Sequence, residues 1–174
     1  MTSNRKYKGF SLIELLIAIA IILIIAAIAI PNLLRARMAA NDSSAAGSMH
    51  SIDVAEAGYF ATYPNIGFPA TLSTLGGADP CSASPATGCL IDNSLATNNG
   101  GVGKSGYSFA ATGSASAGAL DNNMFYATGT PNSSVTGTRA YCSADDMVIR
   151  LQPAGNITLV ASYSSCLGLT AMNN

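Results

Sequence analysis

Few side chains in this sequence are placed to do chemistry, and Glu14 is the first of them. It stands at the head of LLIAIAIILIIAAIAI, positions 15–30, a run with no charged or polar side chain. A carboxylate beside a membrane-length apolar run is costly unless it reaches the interface or finds a partner. Arg5, Lys6 and Lys8 lie upstream, but on a helix only residues three or four apart share a face. That spacing makes Phe10 the helical neighbour of Glu14, and Phe10 carries no charge within an uncut chain. Breaking the Gly9–Phe10 peptide bond would create a positively charged amine at Phe10. The amine could then pair with Glu14 of its own chain or of a neighbouring copy. Pairing across copies would set register, as buried polar groups do in helix assemblies. The alternative is a carboxylate that snorkels to the membrane edge.

The other reactive residue types form weaker patterns. His50 is the only histidine, with Asp53 three positions on and Ser44 and Ser51 nearby. Nucleophilic catalysis needs a positioned nucleophile and an oxyanion site, and no G-x-S-x-G or comparable motif supplies them. His50 therefore reads as a solvated or subunit-contact residue. Asp145 and Asp146 suggest calcium, but adjacent acids on a strand point to opposite faces and make an incomplete oxygen cage. Cys81, Cys89, Cys142 and Cys166 contain no C-x-x-C pair, so disulfides in an oxidising compartment fit better than a metal. Three pairings are possible in principle; Cys81 with Cys89 and Cys142 with Cys166 are favoured because each closes a local loop. No metal site, cofactor or enzymatic activity is expected. Tyr59, Phe60 and Tyr63 read as core beneath a sheet. The sequons at Asn132 and Asn156 are weak signals.

The elements that position these residues divide along the chain. Of the 174 residues, 49% are hydrophobic and 10% charged, an imbalance concentrated at one end. The 21 residues from Phe10 to Ile30 would span about 31 Å as a helix, enough for a hydrocarbon core of roughly 30 Å. Basic residues flank this span on both sides, so charge alone leaves its orientation open. From Met38 onward there are three bases and eight acids, a net of −5. That balance argues against a nucleic-acid groove spread over the distal part, although a small basic patch in an assembled polymer stays open.

Pro31 lacks an N–H and clashes with the preceding turn, predicting a kink or unwound turn at 27–31 before helix resumes. Ala18, Ala20, Ala26, Ala27 and Ala29 would let such helices approach closely. Beyond Pro31, Leu34, Met38, Ala45, Met49, Ile52, Tyr59 and Tyr63 recur at helical spacing along one stripe, interrupted by Glu56. Pro64 ends the pattern. A helix over 11–63 would be about 80 Å long, with a first half that cannot pack on its own domain. Residues 64–105 carry turn signals and read as an ordered loop. Strands are expected at 104–113, 124–128, 146–151 and 156–163, the last two joined by a PAGN hairpin turn. The fold class is α+β, a long N-terminal helix laid against a small antiparallel sheet.

Residues 9–31, GFSLIELLIAIAIILIIAAIAIP, resemble the N-terminus of type IV pilins and of the pseudopilins of type II secretion. Gly9 matches the processing glycine, Phe10 the first mature residue, Glu14 the assembly acid, and Pro31 the proline of a bend or unwound turn. The stretches YFATYPNIGF and KSGYSF are more similar to major pilins than to pseudopilins. The resemblance implies a leader over 1–9, a transmembrane and filament-core half over 10–31, an amphipathic half over 32–63, and a disulfide-bearing pilin-like head over 64–174. A prepilin peptidase would cleave between Gly9 and Phe10 and methylate the Phe10 amine. An assembly ATPase, an inner-membrane platform protein and an outer-membrane secretin would be its further partners. The chain would leave the inner membrane by polymerising with its own copies into an extracellular pilus for adhesion, twitching motility or DNA uptake. The alternative it implies is a pseudopilin forming a short periplasmic fibre.

Overall fold

The computed structural model describes residues 10–119 and 121–172. The chain forms two compact units, one ending at Ala36 and the other running from Arg37 to Asn174. Helix α1 spans Leu12–Thr62. By length and composition it is able to cross a membrane.

In the first unit α1 is continuous through Pro31. The unwound turn expected at 27–31 is therefore absent. Proline removes one backbone donor from the ladder, and a single missing bond within a long apolar helix is compatible with unbroken helical geometry. The Asn32 side-chain amide adds a donor to the same turn, reaching the Ile28 carbonyl at 3.0 Å.

The second unit is built on the remainder of α1 and a five-stranded antiparallel sheet. The strands are β1 (Tyr107–Ser114), β2 (Met124–Pro131), β3 (Tyr141–Ala144), β4 (Arg150–Leu151) and β5 (Thr170–Ala171). They lie side by side in chain order. In β1–β2 the register places Phe109 opposite Gly129 and Ala111 opposite Ala127. Alternation along β1 turns Tyr107, Phe109 and Ala111 inward, and Phe125 and Ala127 follow from β2. They meet Ala45, Met49, Ile52, Ala55 and Tyr59 of α1, with Tyr63 half-buried beside them, so the stripe contributes to the core from Ala45 onward. Leu34, expected at its start, is exposed, and Met38 lies outside the core cluster. Each fully buried large apolar side chain contributes about 1.5–3 kcal/mol of transfer free energy.

Two regions depart from the expectations. The segment 64–105 is more than a loop: Phe68, Leu72, Leu75 and Leu95 enter the same core. Short helical turns at Leu72–Leu75 and Asn93–Ala96 place three of them. Apolar residues so widely spaced carry no period. The expected strand at 156–163 does not form, and the strand expected over 146–151 is reduced to Arg150–Leu151. The PAGN turn is present, with the Asn156 N–H donating to the Pro153 carbonyl at 3.0 Å. The chain beyond it instead enters a short helix, Tyr163–Leu167, before β5 pairs with β4. Strand β3 lies where none was expected, because all four of its residues are buried and show no alternation.

Cys81 is bonded to Cys89 and Cys142 to Cys166, with Cα separations of 6.0 Å and 5.9 Å. The second bridge joins β3 to the short helix Tyr163–Leu167. With Val160, its cysteines form a separate small cluster.

Candidate functional site

The apolar half of α1 is an unpartnered surface. Every Phe, Leu and Ile from Phe10 to Leu34 is 41–79% exposed. At its start, the Ser11 N–H donates to Glu14 Oε2 at 3.0 Å. Ser11 immediately precedes the helix and Glu14 sits in its first turn. This is one arm of a capping box, in which an acid reaches back to a backbone donor at the helix start. The positive end of the helix dipole favours a carboxylate there. Glu14 Oε1 accepts no hydrogen bond among the described residues. One oxygen is thus engaged locally at the helix start. Gly9, and the leader expected over 1–9, lie outside the described residues.

In the second unit, α1 is tied to the sheet by polar side chains that stand out in no sequence pattern. The Asp42 carboxylate accepts from Tyr107 Oη at 2.6 Å and the Thr138 N–H at 3.0 Å, and also from the Thr138 hydroxyl. Asn41 donates to the Thr136 carbonyl at 2.7 Å. These bonds cross from one helical turn to β1 and to the β2–β3 connection. Periodicity does not reveal them, because hydrogen bonds between residues this far apart in sequence need only one polar residue on each side.

Glu56, which interrupts the stripe, is as buried as its apolar neighbours, and both of its oxygens lack a hydrogen-bond partner. Burial, helped by the nearby Asp53 carboxylate, pushes its pKa up to about 8. Asp53 accepts from the buried Ser143 hydroxyl but leaves Oδ2 unpaired. Burial raises it to about 6, against the lowering effects of Ser143 and His50 and with a further small rise from Asp146. His50 is exposed and, with Asp53, Val54, Ala57 and Met147, borders a recess of about 140 Å³. The hydroxyl bonded to Asp53 is fully buried beneath the helix, where no substrate reaches it.

Asp145 and Asp146 are engaged within the head. Tyr163 donates to Asp145 at 2.7 Å, and the Arg150 guanidinium holds Asp146, with Nη1 at 3.0 Å. That ion pair lowers the Asp146 pKa. Among the described residues, no group of three or more His, Cys, Asp or Glu is placed to hold a metal ion. Tyr59 is buried, Phe60 and Tyr63 are half-buried against the core, and Tyr59 and Tyr63 have ring centroids 4.8 Å apart. Asn132 bonds Ser108 and the Val102 carbonyl, and Asn156 accepts from Thr158.

Two comparisons with known proteins found a likeness, one of them placed at the N-terminal end. Residues 4–30 match the family described as the prokaryotic N-terminal methylation motif. Over 39 residues the chain is 69% identical to the type IV wide pilus major component PilA4 of Thermus thermophilus, covering 22% of this chain and 30% of that protein. The match thus spans under a third of that relative's length. No solved structure matches the chain.

Proposed function

We propose, from an N-terminal methylation motif opening onto a long apolar helix with a pilin-like α+β head behind it, that this chain is a structural subunit of the type IV pilin class. It polymerises through the apolar half of α1 into a surface fibre. The observation that carries this reading is the coincidence of an exposed apolar helical half with one carboxylate at its head. Apolar surface leaving lipid must be buried again, at about 25 cal/mol per Å². The same segment of further copies offers a surface of the right chemistry and length. Small residues along it allow the close approach that packing between such helices requires.

In this reading a prepilin peptidase removes 1–9 and methylates the Phe10 amine. Methylation preserves the amine's positive charge, so its pairing with Glu14 survives. The carboxylate then selects the register in which each incoming subunit stops. The platform protein, ATPase and secretin supply the work and the exit path, and the chain itself catalyses nothing. The similarity to a wide-pilus major component supports a major subunit over a secretion pseudopilin.

Replacing Glu14 with Ala tests this directly. Membrane insertion and N-terminal processing should persist, read by fractionation and by mass of the N-terminus. Fibres seen by electron microscopy should fall at least tenfold, since a register pair worth over about 1.4 kcal/mol is lost. Wild-type fibre yield from this variant would remove Glu14 from the mechanism.

A further inference from the structure

The sheet has two edges, β1 and β5. β5 is only two residues long, whereas β1 runs for eight. An exposed edge of that length is a template on which another chain can add a strand. In β1 the buried side chains of Tyr107, Phe109 and Ala111 face the core. The peptide groups of Tyr107, Phe109 and Gly113 bond away from β2, to partners elsewhere in the chain. Tyr107 exchanges two backbone bonds with Lys104, at 2.8 Å and 3.0 Å, and the Gly113 N–H reaches the Pro69 carbonyl at 3.0 Å.

Between them, Phe109 is met by a side chain. Asn98 Oδ1 accepts from the Phe109 N–H at 2.6 Å, and Asn98 Nδ2 donates to the Phe109 carbonyl at 2.6 Å. A carboxamide has the same donor and acceptor pair as a peptide unit. Asn98 therefore reproduces the two-bond exchange that a residue of an antiparallel neighbouring strand would make. The backbone that presents it is specialised: Asn98, Asn99 and Gly100 have φ of 51°, 48° and 70°. Among non-glycine residues, asparagine is one of the few that visit this left-handed region readily.

We propose that Asn98 is an edge guard: its amide fills the strand-pairing position at Phe109 of β1 and keeps the heads of neighbouring copies from joining edge to edge. A fibre that displays many heads at high local concentration makes such pairing a hazard at every contact between fibres. A side-chain amide closes the edge at Phe109 without offering a new edge of its own, as an added strand would.

The test uses the full chain, both in detergent micelles and as fibres. Asn98→Gly removes the amide and keeps the left-handed backbone free of strain. Asn98→Asp keeps the acceptor but loses the donor. Hydrogen exchange at the Phe109 amide should accelerate by about tenfold in Asn98→Gly and by less in Asn98→Asp. Under the same conditions the Asn98→Gly chain should sediment as larger species than wild type, with an unchanged head melting transition showing that it is folded. Fibres of the variant should bundle laterally. The micelle measurement does not depend on assembly, so the guard can fail while the fibre reading stands, and the reverse. Unchanged Phe109 exchange would overturn the inference. Faster exchange with wild-type sedimentation and single fibres would overturn it equally.

Discussion

The two halves of α1 share one helical backbone and meet their apolar surface in opposite ways. From Arg37 onward the apolar residues form a stripe, and Ala45, Met49, Ile52, Ala55 and Tyr59 are buried by strands of their own chain. Before Ala36, Leu34 of the expected stripe included, large apolar side chains surround the helix and remain exposed. A stripe specifies a one-sided partner such as a sheet, whereas an all-round apolar surface requires an environment that surrounds it. Among the described residues the first half keeps its apolar surface exposed, and the second is completed by folding.

The largest effects should separate the halves by matched deletions. Ile52→Ala, at a fully buried position, should destabilise the head by about 2–5 kcal/mol in chemical denaturation. Ile22→Ala removes the same atoms from an exposed position and should change head unfolding by less than about 0.5 kcal/mol. Its effect should appear instead as fibres that dissociate more readily. Equal loss of head stability from both would erase the distinction between the halves.

Next come the bridges that hold the second half's partner together. Replacing Cys142 and Cys166 with Ser, which opens a sequence separation of 24, should cost the head about 3.5 kcal/mol on a loop-entropy argument. Opening the Cys81–Cys89 separation of 8 should cost about 2.5 kcal/mol by the same argument. Thermal melts of the two double variants give the order.

The buried acids supply the pH dependence. Glu56, ordinarily near 4.5, is raised to about 8 in the folded head, and Asp53 to about 6. The folded state therefore binds more protons than the unfolded state between the two values of each group. Their contribution is fully present below the ordinary carboxylate range and is lost as pH rises, through about 6 for Asp53 and about 8 for Glu56. Head stability should fall across this interval by an amount on the order of a few kcal/mol. The groups facing the pair are His50, Tyr59 and Asp146. Glu56→Gln should flatten most of the slope, and an unchanged slope would assign the dependence elsewhere.

Much of the helix was legible because its signals are local. Pro64 closes α1 within two residues of its observed end at Thr62, and Met49 and Ile52 declare the buried face by spacing. β1 and β2 were visible through alternation of Tyr107 with Phe109 and through the apolar run after Met124. β3 was not, because Tyr-Cys-Ser-Ala is buried on every side and carries no period. The sequence at 156–163 alternates well enough for a strand, but Cys166 must reach Cys142, and the chain turns into a helix to do so. At the start of α1, Glu14 announced itself as a charge out of place, whereas Asn98, in the head, did not. An asparagine in an ATNNGG stretch looks like an ordinary turn until Phe109 is found beside it.

The central claim is that an apolar helix beginning at Phe10 exchanges lipid for its own copies once the preceding residues are removed. Mass spectrometry of the N-terminal peptide from sheared surface fibres tests it most directly. Chains in those fibres should begin at Phe10 with a methylated amine. A chain in those fibres that still begins at Met1, or recovery of the protein only as a membrane-bound monomer, would contradict it.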